Sequence, residues 1–355
     1  MATKPVIRVI GSLNIDFVTL TPRVPGPGET LQAKSMTVHA GGKGSNQAVA
    51  CGKAAFTSAT EQDVLVDMIG AVGAGDPYYA SLLQPTLAKS GVSTRYVEEI
   101  EGVQTGTATI IVDEGSNGEN RILFVPGANH RVNDLDKVLA TATQDGDPDV
   151  VVMQGEIPQS TVTGLLSAFN SSTTASASAS ASRHKTCVIF NPAPMFDTIP
   201  LQVLSNLAVL VVNETECLLL FKAVQELKSI ETPNEQDLNE SHLDRLTKQL
   251  HDVAAISIIV VTLGARGVYY SVAHPQTHTR CGLIPAPKVA KVVDTTGAGD
   301  TFVGFFATAL ARHVATHKAL DEFDVTGAVT RANAAAGKCV QRSGAMESIP
   351  FGYEI

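Results

Sequence analysis

The chain has 355 residues, 44% of them apolar and 17% charged, with no Trp. That balance excludes a disordered polyelectrolyte and suits one large α/β domain or two domains. A formal net charge of −9 argues against a nucleic-acid partner, because phosphate-backbone binding needs a basic face, and the apolar runs are too short to span a bilayer.

From the N-terminus, β-branched runs alternate with helical patterns. Val6–Gly11 reads as a strand, Gly44–Ala54 as a helix, Asp67–Val72 as a strand and Pro77–Ser90 as a helix. A strand is predicted over Asp149–Gln154, a helix over Gln159–Phe169, and strands over Cys187–Asn191 and Ala208–Asn213. Helices Glu214–Phe221 and Leu243–Val253 follow, then strands Ser257–Thr262 and Gly267–Ser271 and a strand-like Val289–Val293. Helices Ala298–His313 and Val325–Val340 close the chain. Most strands are continuously apolar, as strands covered on both faces must be. The fold class is therefore α/β, with a mostly parallel central sheet flanked by helices.

Two stretches break the rhythm. Phe17–His39 and Tyr96–Val125 alternate apolar and polar residues, as in Thr107-Ala-Thr-Ile-Ile-Val112, which implies sheets with one covered face. They are expected to combine into a small β-sheet lid covering a cleft, a partner subunit, or both. The core is then residues 1–16, 40–94 and 126–355, and the lid 17–39 and 95–125. Two insertions are expected as flexible loops away from the site: 171–183, a Ser/Ala tract, and 228–241, which is polar and acidic. Five scattered Cys without a Cys-x-x-Cys pair suit a reducing compartment. The N-terminus lacks the apolar core of a signal peptide, so the cytoplasm is the expected location.

Three glycine-rich segments carry chemistry. Asp294-Thr-Thr-Gly-Ala-Gly-Asp300 precedes a helix, so the N–H groups of Gly297, Ala298 and Gly299 offer an anion site at its N-terminus. An N-cap carboxylate on an ordinary turn is the plainer reading of Asp300. The small residues before a single Asp favour phosphoryl transfer, with the turn stabilising the moving group and Asp300 deprotonating the nucleophile. Gly41-Gly-Lys-Gly-Ser-Asn-Gln47 is no Walker A loop, since Gly44 follows Lys43. Lys43 and Asn46 nevertheless offer donors to a polyol from one loop–helix junction. Asn14 and Asp16, two apart after the first strand, suit vicinal hydroxyls; taken alone they also suit a simple turn.

In combination, these motifs resemble the sugar kinases of the ribokinase, fructokinase and adenosine kinase family. So do Pro126-Gly-Ala-Asn129, Asn191-Pro-Ala-Pro194, Asn213-Glu-Thr-Glu216 and Thr262-Leu-Gly-Ala-Arg-Gly267. The resemblance runs from about Val6 to Pro350, and the Gly-Gly-Lys-Gly loop and Asn-Pro-Ala-Pro point to the ribokinase branch. It implies a ribokinase-like three-layer fold and ATP-dependent phosphorylation of D-ribose at O5. Deoxyribose, fructose or a nucleoside is the alternative substrate. By position it implies sugar contacts from Asn14, Asp16, Gly42, Lys43, Asn46 and Glu156, with Asp300 as base. Nucleotide and Mg2+ contacts fall to Asn213, Glu216, Thr262, Gly264, Arg266, Gly267, Gly299 and Asn333. Monovalent-cation (K+) activation is implied at Asp294, Thr296, Cys339, Arg342, Gly344 and Ser348. A homodimer through the lid is implied as well.

Overall fold

The computed structural model describes residues 3–116, 119–171, 186–273, 280–317, 320 and 322–355. Nine strands among the described residues form a central sheet: β1 (Val6–Ile10), β4 (Leu65–Gly73), β5 (Val92–Ile100), β8 (Val150–Met153), β9 (Cys187–Phe190), β10 (Val209–Asn213), β11 (Ile258–Thr262), β12 (Val268–Val272) and β13 (Arg280–Ile284). Their spatial order is β13-β12-β11-β10-β9-β8-β1-β4-β5. Every pairing from β5 to β11 is parallel, and the β11–β12 and β12–β13 pairings are antiparallel.

The alternation of a strand explains why these runs are apolar throughout. Val150 and Val152 point into one core layer and Val151 and Met153 into the other, and all four are fully buried. Helices α1 (Lys43–Ala54), α8 (Ala298–His317) and α9 (Val325–Cys339) cover the first face. The second is covered by α3 (Leu135–Thr143), α4 (Gln159–Ser171), α5 (Leu201–Leu204), α6 (Glu214–Ala223) and α7 (Glu240–Ala254). Helix α1 lies close against α8: a Cβ on Gly304 would stand 2.3 Å from that of Ala50.

A second sheet stands beside the first, in the order β3 (Ser35–Gly41), β2 (Asn14–Thr21), β6 (Gly106–Asp113), β7 (Glu119–Val125). The two expected excursions thus meet in one sheet, with different limits. Tyr96–Ile100 belongs to β5 and pairs with β4 in the central sheet. Asn14, Asp16 and Gly41 lie in the small sheet, where Asn14 pairs with both Gly41 and Gly106.

Other departures have local causes. Val289–Val293 forms no strand; Val292 and Val293 are each 52% exposed, and no neighbouring ladder receives them. Pro77–Ser90 opens on a π-helical turn, Tyr79–Leu83, before α2 (Gln84–Lys89). Helix α3 and strand β13 were not expected. Segment 228–241 is no detached loop: Leu238 is fully buried, its carbonyl accepts from Arg266 Nη1 at 2.5 Å, and Glu235 accepts from Thr215 Oγ1 at 2.8 Å. It packs against elements carrying expected nucleotide residues instead of standing clear of them. Beyond Ser171, the 171–183 tract falls outside the described residues. Among the described residues, no helix is long and apolar enough to cross a membrane.

Candidate active site

The chain steps from β1 to β4 and β5 on one side and later to β8 on the other, so β1 and β8 flank a topological switch point. Open α/β sheets bind ligands beyond the carboxyl ends of strands at such points. Here those ends deliver Ser12, Glu156 and Asn191, and α1 starts directly opposite.

Gly42, the N-cap of α1, has φ +94° and no side chain to satisfy the first helical N–H groups. Distant residues do so instead. Glu156 Oε2 accepts from Lys43 N at 2.8 Å and from Ser12 Oγ at 2.5 Å, and Ser12 Oγ accepts from Gly44 N at 3.2 Å. Negative charge at a helix N-terminus is favourable, so Glu156, expected as a sugar contact, here serves to cap α1. Asn14 is held by a residue outside the expected set: Asn129, fully buried, donates Nδ2 to Asn14 Oδ1 at 2.7 Å and accepts from Leu13 N at 2.9 Å. Asp16 sits against Gly41, where any Cβ would meet its carboxylate at 2.0 Å. Burial first, then the charges of Glu156 and Glu347, push the Asp16 carboxyl up to about 7.

A cavity of about 230 Å³ opens beside this cluster, lined in part by Lys43, Asn213, Glu216, Thr262, Gly299 and Asp300. Asp300 is buried in the first turn of α8. Asn46 Nδ2 donates to its Oδ2 at 3.0 Å and Gln47 Nε2 to its Oδ1 at 2.9 Å. Burial would lower Lys43, but Asp300, Glu156 and Glu216 together hold it above the usual lysine value, so it is a cation facing the cavity. Gly297 takes φ +77°, as the turn requires, and a Cβ on Gly299 would meet nothing within 4 Å. That side of the turn is open to a ligand. The Ala298 N–H differs from expectation: it donates back to Thr295 O at 3.3 Å.

On the far wall, Asn213 and Glu216 cap α6 reciprocally: Asn213 Oδ1 accepts from Glu216 N at 2.7 Å, and Glu216 Oε2 from Asn213 N at 3.0 Å. Burial raises the Glu216 carboxyl. Gly264, Arg266, Gly267 and Asn333 do not line the cavity. Arg266 pairs with Glu214, and Asn333 donates to Pro285 O at 2.9 Å.

The expected cation residues gather behind the anion turn. Asp294 accepts from Thr296 N at 2.9 Å and Gly344 N at 3.0 Å; burial would raise its carboxyl, but these bonds hold it below the usual range. Cys339 Sγ lies 3.0 Å from Ser348 Oγ and 3.8 Å from Thr296 O. Arg342 turns its guanidinium to Glu354 at 2.6 Å. A carboxylate, carbonyls and a hydroxyl form an oxygen-rich set that fits a hard cation of low charge.

Residues 5–351 match the profile of pfkB family carbohydrate kinases. The chain is similar to a ribokinase of Schizosaccharomyces pombe, 34% identical over 98% of this chain and 96% of that one. It is similar to a ribokinase of Bacillus subtilis, 31% identical over 98% and 97%. The structure of Arabidopsis thaliana ribokinase complexed with ribose and ATP superposes with a TM-score of 0.75 at 26% identity, over 99% of this chain and 96% of that one.

Proposed function

The chain belongs to the pfkB family of carbohydrate kinases, and we propose that it is a ribokinase, transferring the terminal phosphoryl group of ATP to the 5-hydroxyl of D-ribose. The observation that carries this reading is Asp300, whose two carboxylate oxygens are each held by a neighbour on α1 at the edge of a cavity that also receives Lys43. The relatives that are ribokinases, and the ribose and ATP in the Arabidopsis complex, support it.

Asn14, Asp16, Gly42, Lys43, Asn46 and Glu156 hold the sugar, with carboxylates accepting and amides donating to its hydroxyls. Asp300 accepts the O5 proton as the phosphoryl group leaves ATP. A loose transition state asks little of the base beyond position. The open side of the Gly297–Gly299 turn, the α8 N-terminus and Lys43 stabilise the charge that shifts onto the moving oxygens. Asn213, Glu216, Thr262 and the loop of Gly264, Arg266 and Gly267 serve the nucleotide, with Asn333 on the adenine side. Mg2+ bound with ATP would neutralise phosphate charge, and the half-buried Glu216, which lines the cavity, is the carboxylate suited to face it. K+ would be held by Asp294, Thr296, Cys339, Arg342, Gly344 and Ser348, behind the turn.

The small sheet closes over the sugar and excludes water, which would otherwise accept the phosphoryl group. Met36 and Ile122–Val125 on its β3 and β7 are apolar and exposed, a surface suited to the same sheet of a second copy, so the protein is a homodimer. Five free cysteines suit the cytoplasm. The test is an ATP-coupled assay across pentoses, hexoses and nucleosides, with and without K+. Ribose is expected to give the highest kcat/KM; fructose, deoxyribose or a nucleoside outpacing it would overturn the assignment.

A further inference from the structure

Gln47 stands one residue beyond Asn46, to which the proposed function gives a sugar contact; Gln47 is fully buried and does not line the cavity. Its Nε2 donates to Asp300 Oδ1 at 2.9 Å and to Asn191 Oδ1 at 3.0 Å, using both amide hydrogens. Its Oε1 accepts from Gln154 Nε2 at 2.7 Å. These three partners come from three separate segments: the first turn of α8 and the carboxyl ends of β9 and β8. Asn191 continues the chain, donating to Val211 O at 3.0 Å and reaching Glu216 Oε2 at 3.5 Å. Gly11 makes room for the arrangement, since a Cβ there would lie 2.0 Å from Gln154 Oε1.

A carboxylate held at one oxygen can still swing about its Cβ–Cγ bond; held at both, it cannot. Asn46 holds one oxygen of Asp300, but Asn46 also faces the sugar, whose hydroxyls compete for its amide. Gln47 has no such competitor. Both of its hydrogens are committed, and Gln154 fixes its carbonyl so that the amide cannot flip.

We propose that Gln47 is a positioning residue for phosphoryl transfer: it fixes the orientation of the Asp300 carboxylate and ties it, through Asn191, to Glu216 on the nucleotide side. This rests on reading Asp300 as the proton acceptor. Each Asp300 oxygen keeps lone-pair capacity beyond the amide it accepts, so aiming the carboxylate does not block it from taking the O5 proton.

The test compares Gln47→Met, of similar length but without donors, with the wild type in steady-state ribose and ATP kinetics and in thermal melts. The expected result is a fall in kcat of about 10–100-fold, with both KM values within about threefold, as for a misaimed but otherwise intact reacting group. In an Asp300→Asn background, followed by end-point product formation over hours, Gln47→Met is expected to cause no further loss. With no carboxylate to aim, the residue has nothing left to do. If Gln47→Met does not fold, Gln154→Met, at a residue that holds the Gln47 carbonyl and does not line the cavity, frees the amide to flip and is expected to lower kcat with the same KM pattern. A folded Gln47→Met whose kcat stays within twofold of wild type would overturn the proposal, as would a similar further loss in both backgrounds. An Asp300→Asn enzyme as fast as wild type would overturn it together with the base reading. A wild-type protein that phosphorylates no sugar would refute the proposed function itself.

Discussion

Asp16 on the small sheet and Glu156 just beyond the central strand β8 stand close enough that the charge on Glu156 adds to burial in raising the Asp16 carboxyl to about 7. A protonated Asp16 gives up one of the acceptor positions that the sugar hydroxyls need. The KM for ribose is therefore expected to climb as pH falls through 7, approaching tenfold per unit well below it. The unliganded protein should behave oppositely. A carboxyl held above its unfolded value adds stability at low pH and loses that contribution as pH rises through 7. Asp16→Asn is expected to abolish tight ribose binding while raising the melting temperature clearly more at pH 8 than at pH 5, because the contribution is lost progressively between the unfolded value of 3.8 and 7. Melts at the two pH values check this, and an equal shift at both would contradict it.

Asp300→Asn keeps the shape of the side chain and removes its ability to accept a proton. Its kcat is expected to fall by about 10²–10⁴-fold, the usual contribution of a positioned base. Thermal melts should show the fold retained. Unchanged turnover would leave Asp300 as no more than the cap of α8.

Asp294 joins residue 296 to residue 344 through two backbone N–H groups. Its removal should loosen the 294–299 turn from the C-terminal segment and, on the proposed function, remove the carboxylate of the K+ site at once. Wild-type initial rates are expected to be higher in K+ than in Na+, and Asp294→Ala is expected to show equal, low rates in both. Equal wild-type rates in the two salts would remove K+ from the scheme.

Leu123 is 68% exposed on β7, among other apolar residues. Leu123→Asp is expected to convert a dimer to a monomer, read by light scattering on a sizing column. A wild-type protein that is monomeric at micromolar concentration would refute the dimer.

Much of the central sheet could be read from the sequence because buried parallel strands have no polar face, and Val150–Met153 or Val209–Val212 admit little else. Val289–Val293 has the same composition and forms no strand, because a strand needs a neighbour's ladder and composition does not supply one. The limits of the small sheet were misread for the same reason: Tyr96–Ile100 alternates like its later partners but pairs with β4. The expected site residues are read from their motifs. Asn129 and Gln47 stood in quoted motifs but outside the expected site set, since a side chain whose task is to hold another shows its role only in three dimensions. Segment 228–241 reads as solvated because its charges outnumber its few apolar anchors, Leu238 and Ile230.

The gap between Ala50 and Gly304 is filled by a hydrogen where any other residue would place carbon. Asn46 and Gln47 lie about one turn before that crossing on one helix, and Asp300 about one turn before it on the other. The crossing therefore acts as a spacer that sets how far Asp300 stands from its holders. A methyl group added at 304 would wedge α1 from α8 in a core that has little room to yield. Such a wedge tilts a donor–acceptor distance that must stay near 3 Å to bind at all. Variation at this glycine should thus be felt in turnover as well as in folding, since the backbone it would displace is the one that carries the holders of Asp300.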